Sequence, residues 1–212
     1  MLKTEFMDPR VADIPPPTFG ETLPISPSAE VLAFLARRRS ASALTLRAPG
    51  PSGGELRRLL QLATRAPDHG KLAPWRFVIL AGTAKAAFVD RLGTIARTRP
   101  DAVKLEAKLG KIKAPPLTVA VISRFVEGDI PEWEQRLSAG AVCTLLIVAA
   151  QAMGYGANWI TDWYAYDPAS LALLGVAEGE RVAGFVHIGT AAEDPLERVR
   201  PDLESLVSVW NP

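Results

Sequence analysis

The chain has 212 residues, 48% of them hydrophobic and 22% charged, which is typical of a globular protein with one domain or two small ones. Its formal net charge of +1 gives no large field that would favour nucleic acid or an anionic membrane. One cysteine, Cys143, excludes an internal disulfide and favours a reducing compartment. With only two histidines beside it, a structural zinc site is not expected.

The N-terminus has no apolar segment followed by a small-residue cleavage site, so we expect no signal peptide. The longest apolar run, Ala139 to Ala150, is too short to span a bilayer, which takes roughly 20 residues. We therefore expect a cytoplasmic protein that binds neither nucleic acid nor membranes. Residues 1–28 contain six prolines and predict an extended arm, followed by one folded domain over residues 29–212.

A helix is predicted after this arm, with Ser28 as its N-cap and its end near Arg38, because apolar residues recur at helical spacing. Three arginines and two serines stand at its C-terminal end: Arg37, Arg38, Arg39, Ser40 and Ser42. The arginines could simply complement the carbonyl end of the helix dipole. Alternatively, they form an anion site, since two guanidinium groups can hold a phosphate through paired hydrogen bonds. The residues alone leave both interpretations open.

The segment Arg65–Phe77 is the part of the chain where polar chemistry is most concentrated. Pro67 and Pro74 cannot lie comfortably inside a helix, so the preceding helix should end near Thr64, and a rigid loop should lead into the apolar strand Phe77–Ala81. The loop carries charged groups, one imidazole and one indole: Arg65, Asp68, His69, Lys71, Trp75 and Arg76. This set could seat a planar anionic ligand, or the segment could be an ordinary connection whose tryptophan fills the core.

Hydrophobic periodicity predicts the remaining elements. Helices are expected over 55–64 with Ser52 as the cap, from Thr83 onward, and over about 101–113 and 131–153; strands are expected over 117–122, from 154, and over 181–189 and 206–210. The helix over 131–153 is apolar on every side, which predicts burial all round and a helix that a second subunit could share. Cys143 is interpreted as a small apolar filler, and His187 as a packed histidine rather than a catalyst.

Motifs of several large enzyme classes are missing. The sequence contains no GxGxxG and no Walker sequence, so the common dinucleotide and nucleotide fingerprints are absent. Gly50-Pro-Ser-Gly-Gly54 has the spacing of a Gly-x-Ser-x-Gly elbow, but no strand is predicted before it, so it is interpreted as a turn before the next helix. Two histidines give little support for a serine or cysteine triad.

Seven short motifs, taken together and in order, resemble the FMN-dependent nitroreductase family, in particular its short single-domain bacterial members. They are Arg38-Arg-Ser-Ala-Ser42, Arg65-Ala-Pro-Asp-His69, Pro74-Trp-Arg-Phe77, Trp133-Glu-Gln135 with Ser138-Ala-Gly140, Gly154-Tyr-Gly-Ala-Asn-Trp159, His187-Ile-Gly-Thr190, and Arg198-Val-Arg-Pro201. No one of them is specific, but all seven occur in the family's order over about residues 30–203.

The resemblance implies an α+β fold with a central, mainly antiparallel sheet flanked by helices. It also implies an intertwined homodimer with two FMN molecules at the subunit interface. The FMN phosphate and ribityl chain would be held by five residues: Arg38, Arg39, Ser40, Arg198 and Arg200. The flavin would be contacted by the partner's Arg65 and the partner's His69, while Trp159, Ile160 and Thr161 would lie along the isoalloxazine ring.

The implied activity is that of an NAD(P)H-dependent FMN oxidoreductase with a ping-pong cycle. NADH or NADPH would pass hydride to flavin N5, and the reduced flavin would then reduce a small-molecule oxidant such as a nitroaromatic or a quinone. The flavin carries this chemistry, so no side chain need act as a nucleophile or general base, although Arg65 or His69 could tune the flavin through positive charge.

Two departures from the family pattern keep alternatives open. Ala73 stands where many members have Gln, and Ile160-Thr161 follows Trp159 where short relatives often have Arg-Ser. One alternative is a flavoprotein of the same fold that reduces a small aldehyde or enone. The other is a flavin-binding module without turnover.

Overall fold

The computed structural model describes residues 15–211 of the chain. Its centre is a five-stranded sheet in which every pairing is antiparallel, as the resemblance predicts. The strands are β1 Leu46–Arg47, β2 Trp75–Ala81, β3 Leu117–Ser123, β4 Gly156–Ile160 and β5 Arg181–Ala191. The predicted strands at 77–81, 117–122, from 154, and at 181–189 are therefore confirmed, although β2 begins two residues earlier than expected.

Strand β5 is the strand on which the sheet is assembled. It pairs with β3 over Arg181 to Ile188 and with β4 over Phe185 to Gly189. Its last two residues pair with β1, and β2 completes the sheet by pairing with β3. The chain therefore brings segments more than one hundred residues apart in sequence to the same strand.

Seven α-helices surround the sheet within the described residues. They are α1 Ala29–Arg37, α2 Gly53–Ala63, α3 Gly82–Arg97, α4 Ala102–Lys108, α5 Gly110–Lys113, α6 Glu132–Ala152 and α7 Pro168–Leu173. The predicted caps are present: the Ser28 hydroxyl accepts from the Val31 amide, and Ser52 forms a complete capping box with Glu55. Helix α7 was not predicted, although an Asp167 cap followed by proline is a helix-start signal.

Each face of the sheet has its own apolar core, because alternate residues of a strand point to opposite faces. Val119 and Val121 of β3 pack with α2 and α6, whereas Ala120 and Ile122 pack with residues of α3 and α5. All seven residues of β3 are buried, which explains its continuous apolar sequence. Cys143 lies on the buried side of α6, within the core, as predicted for a small apolar filler.

The prediction that α6 is buried all round is wrong for the single chain. One side packs on the sheet, but Trp133 and Leu137 are 67% and 54% exposed, and Ala141, Leu145 and Val148 are only partly covered. By length and composition alone, α6 could cross a membrane. The core helix of a globular protein meets the same criteria, and half of the most apolar 18 residues of α6 are buried within the protein. The other side of α6 is therefore apolar but is not covered by the rest of the described chain.

The two ends of the described chain contribute little to this core. Helix α1 has no buried residue, so its predicted apolar face is left largely uncovered by the rest of the described chain. The strand predicted at 206–210 does not form: these residues pair with no strand of the described chain, and their side chains are exposed. Residues 15–28 have no regular secondary structure, while residues 1–14 of the predicted arm lie outside the described part.

Two ionisable side chains are buried together on one face of the sheet. His187 is fully buried, with its Nδ1 2.9 Å from the Thr118 hydroxyl, which confirms a packed histidine. Burial, together with the nearby Lys85, lowers the pKa of His187 to about 3. Burial also lowers the pKa of Lys85 to about 8, and its ammonium donates to the Pro115 carbonyl. Burial therefore disfavours the charged form of both side chains.

This burial predicts an acid-dependent loss of stability. The unfolded chain protonates His187 near its ordinary pKa of about 6.5, but the folded chain does so only near 3, so unfolding takes up a proton between these values. The free energy of unfolding should fall by about 2 kcal/mol between pH 7 and pH 5 from this group alone. In His187→Gln that part of the decline should vanish.

Urea unfolding at several pH values checks the prediction. His69→Gln is the matched control, because it removes the other, exposed histidine. Equal pH dependence in the wild type and His187→Gln would contradict it.

Candidate functional site

An open cavity of about 640 Å³ lies where α1 ends and the segment after β5 returns. Four of the five residues predicted to hold a phosphate line it, Arg38, Arg39, Ser40 and Arg198, although they are up to 160 positions apart in sequence. The other polar lining residues are Ser42, Thr45, Asn158, Glu193 and Asp194. The fold thus concentrates three guanidinium groups beside hydroxyl groups, as an anion site requires.

The fifth predicted residue, Arg200, lies next to this cavity rather than in its lining. Its Nη2 donates to the Arg38 carbonyl at 3.3 Å, and its Nε donates to Glu197 at 3.0 Å. Arg39 donates to the Leu196 carbonyl at 2.9 Å and lies 3.8 Å from Glu197. The Arg198 amide and the Arg200 guanidinium lower the pKa of Glu197. Glu197 therefore links two of the predicted arginines and fixes the returning segment against α1.

Asn158 is a lining residue that the sequence analysis did not single out. Its Nδ2 donates to the Ala41 carbonyl at 2.6 Å, whereas its Oδ1 is buried without a partner. A buried, unsatisfied acceptor carries a substantial free-energy cost, so this atom suits a ligand hydroxyl. Asn158 stands inside the Gly154–Trp159 motif, and that was the one signal that could have found it.

The lining fits a ligand that carries both a phosphate and hydroxyl groups. Arg38, Arg39 and Arg198 supply positive charge, and the unsatisfied Asn158 oxygen supplies an acceptor for a hydroxyl. Glu193 and Asp194 offset part of the positive charge, so the site should prefer a compact phosphate to an extended polyanion.

The loop after α2 has the rigid character that its sequence predicts. Helix α2 ends with Thr64 as its C-cap. The Asp68 carboxylate accepts from the Leu72 amide at 3.2 Å and from the Ala73 amide at 2.8 Å. Lys71 and Ala73 have positive φ angles of 57° and 46°, a conformation that non-glycine residues adopt only at a cost. The loop is therefore held in a defined shape by its own polar contacts.

Two side chains expected in this loop belong to the structural core instead. Trp75 is the first residue of β2 and is only 7% exposed. The prediction that it contacts a ligand is therefore wrong, and the alternative that it fills the core is correct. Arg76 makes a two-pronged ion pair with Glu180 and also donates to the Gly175 carbonyl. It anchors β2 to the loop before β5. Sequence position alone could not show that the strand begins at Trp75.

Arg65 and His69 remain exposed on this loop, and neither lines the cavity formed by Arg38, Arg39 and Arg198. Within the described residues, the Arg65 side chain has no hydrogen-bond or ion-pair partner. The His69 Nδ1 lies 2.7 Å from Glu134 Oε2 in the first turn of α6. The two predicted groups of site residues therefore occupy separate places in one chain.

The predicted wall residues lie at and beyond the end of β4. The indole of Trp159 is 37% exposed and covers Gly184 so closely that a Cβ there would lie 1.8 Å from Nε1. The same Nε1 donates to the Ala183 carbonyl at 3.2 Å, so the ring has a fixed orientation. Ile160 ends β4 and is partly exposed, and the exposed Thr161 accepts from the Tyr166 hydroxyl at 3.0 Å. These side chains offer a flat, mainly apolar surface.

A sequence model of the nitroreductase family matches residues 35–190. The chain belongs to the nitroreductase family. The match covers the cavity residues that follow α1, Asn158 of β4 and both ends of the rigid loop, and it confirms the family predicted from the seven motifs. YdjA of Escherichia coli strain K12, whose name reads "putative NAD(P)H nitroreductase", is 33% identical over 164 residues, which are 76% of this chain and 88% of YdjA.

Solved structures confirm the predicted α+β, nitroreductase-like fold. A nitroreductase-like family protein from Bacillus cereus superposes with a TM-score of 0.76 at 21% identity, covering 88% of this chain and 98% of that protein. A nitroreductase with bound FMN from Bacteroides fragilis NCTC 9343 gives a TM-score of 0.65 at 21% identity, covering 87% of this chain and all of that protein. At these identities the likeness concerns the fold.

The contacts of Asp68 predict how the loop loses its shape. In Asp68→Ala the amides of Leu72 and Ala73 lose their acceptor, which should cost about 1–2 kcal/mol and raise amide exchange in the loop. Thermal unfolding and hydrogen exchange measure both effects. Asp101→Ala is the matched control, because Asp101 makes no capping hydrogen bond; if both variants lose the same stability, the Asp68 contacts do not hold the loop.

Proposed function

We propose that this nitroreductase-family chain is an NAD(P)H-dependent FMN oxidoreductase that reduces nitroaromatics, quinones or related small molecules by a ping-pong cycle. The observation that carries the proposal is the cavity in which Arg38, Arg39 and Arg198 meet beside the unsatisfied Asn158 oxygen. A guanidinium cluster suits a phosphate, and an unpaired amide oxygen suits a ribityl hydroxyl.

Each part of the chain has a distinct task in this proposal. Arg38, Arg39, Ser40 and Arg198 bind the phosphate, and Arg200 supports them through Glu197 and the Arg38 carbonyl. Trp159, which is held over Gly184, gives the flat ring of the cofactor a rigid wall, with Ile160 and Thr161 continuing that wall.

FMN, when bound, would supply the redox chemistry by accepting hydride from NADH or NADPH at N5 and passing electrons to the oxidant. The protein's part is to bind and orient the reactants. Arg65, exposed and without a partner among the described side chains, would place positive charge close to the flavin, where charge develops on reduction. No side chain is needed as a nucleophile.

A second copy of the chain completes the proposed site. Arg65 and His69 do not line the cavity of their own chain, so they would serve the cavity of the other subunit. The partly exposed apolar stripe of α6 and the apolar face of α1, with Val31, Leu32 and Leu35 at least 50% exposed, are the surfaces that a homodimer would cover. The apolar residues of the segment 203–210 are exposed as well and could extend over the partner. A cytoplasmic location is supported by the cysteine content, since a chain with one cysteine is typical of a reducing compartment.

The visible spectrum of the purified protein tests the proposal. We expect flavin absorption that bleaches without oxygen on addition of NADH or NADPH and returns with a nitroaromatic or a quinone. Adding each donor separately identifies the one that is used. A parallel addition of an enone and a small aldehyde decides whether the Ile160-Thr161 wall has changed the acceptor.

Two results would contradict the proposal. A protein that holds flavin but is never bleached by either donor is a binding module without turnover. A colourless protein that takes up no added FMN would show that the arginine cavity serves another ligand.

A further inference from the structure

The contact between His69 and Glu134 is a tertiary contact that the proposed function does not yet explain. His69 begins the short 3-10 turn His69–Lys71 of the rigid loop, and Glu134 lies in the first turn of α6. Their side chains meet at 2.7 Å, although they are 65 positions apart in the sequence. Both remain accessible, with 63% and 46% of the side chain exposed.

Stability does not account for this contact. An exposed ion pair stabilises a fold only slightly, since solvent screens the charges. The loop is also already fixed by other bonds: Asp68 holds two of its amides, the Ser138 hydroxyl donates to the Pro67 carbonyl, and Arg124 donates to the Ala73 carbonyl. The contact between His69 and Glu134 therefore needs an explanation other than the stability of the loop.

The chemistry of the pair gives the imidazole a defined state. A carboxylate only accepts hydrogen bonds, so the Nδ1 that contacts Glu134 must carry the proton. The hydrogen bond at one ring nitrogen decides which form the other nitrogen takes and how the ring is oriented. Nε2 then has no hydrogen-bond partner among residues 15–211 and can face a ligand.

We propose that Glu134 is a positioning residue that fixes the proton of His69 on Nδ1 and presents Nε2 to the flavin. The inference rests on the proposed function and adds a residue that the family motifs leave without a role. It also explains why the Trp133-Glu-Gln motif lies at the start of α6: Gln135 fixes the preceding loop through the Val126 amide and carbonyl and the Ile130 carbonyl, and Glu134 fixes the histidine.

The chain provides a matched control in the same helical turn. Glu132 is also exposed at the N-terminus of α6, but it pairs with Arg136. Glu132→Ala removes an equivalent negative charge from the helix N-terminus, where such a charge is favourable, and leaves His69 untouched. Any effect of helix electrostatics therefore appears in both variants, and an effect through His69 appears only in Glu134→Ala.

Nitrogen NMR of the imidazole rings reads the proposed state directly. The chain has two histidines, and His187 stays neutral through the accessible pH range because its pKa is lowered to about 3. His69 is assigned from the spectrum of His69→Gln. In the wild type and in Glu132→Ala, neutral His69 should carry its proton on Nδ1. In Glu134→Ala the population should move toward the Nε2-protonated form, and Glu134→Gln, which retains an acceptor oxygen, should restore part of the wild-type signal.

FMN affinity, measured by quenching of flavin fluorescence, tests whether the positioning matters to the ligand. Glu134→Ala and His69→Gln should each weaken FMN binding. The double variant should be no weaker than His69→Gln alone, with a coupling of about twofold or more, while Glu132→Ala should bind like the wild type.

Two outcomes overturn the inference. If the His69 proton stays on Nδ1 in Glu134→Ala, Glu134 does not set the ring. If the proton moves but FMN binds with wild-type affinity, the pair does not serve the flavin. A wild-type chain that binds no FMN overturns the proposed function instead; the NMR comparison then still decides whether Glu134 fixes the histidine.

Discussion

The pairing of β5 with three other strands is the constraint on which the candidate site depends. Its hydrogen bonds to β4 place Asn158 and Trp159, and its last residues pair with β1, which follows the arginine-serine segment after α1. The chain then leaves β5 and returns with Arg198 and Arg200. One strand therefore gathers a cavity from three distant stretches of sequence, and Gly184 on it leaves room for the Trp159 indole.

A second constraint is that one chain satisfies only one side of α6. The side that packs against the sheet supports the loop of Arg65 and His69, through Ser138 and Glu134. The other side exposes Trp133 and Leu137. Because the loop and the arginine cavity occupy separate places in the chain, the proposed function makes dimer formation and assembly of the flavin site one event.

Local pattern was enough to predict four of the five strands and most helices, and the family resemblance pointed to four of the residues that line the arginine cavity. The continuous apolar run of β3 and the caps at Ser28 and Ser52 act over a few residues, and the family motifs identified Arg38 and Arg198. Contacts between distant segments were not predictable in this way. Nothing near Trp75 in the sequence distinguishes a buried strand residue from a ligand wall. The orientation of Asn158 depends on the Ala41 carbonyl, which belongs to the distant segment bonded along β4. The alternation of residues 206–210 resembles a strand, but a strand also needs hydrogen bonds to a neighbouring strand, which these residues do not make within the described chain.

Flavin content of a mixed dimer tests the central claim most directly. One chain would carry Arg38→Ala and Arg198→Ala, the other Arg65→Ala and His69→Ala, and two affinity tags would isolate the mixed species. If each flavin site combines the arginine cavity of one subunit with the loop of the other, the mixed dimer has one intact site and should hold about one FMN, whereas each parent dimer should hold far less. A mixed dimer with no more flavin than its parents would show that both groups act within one subunit, or that they do not form one site.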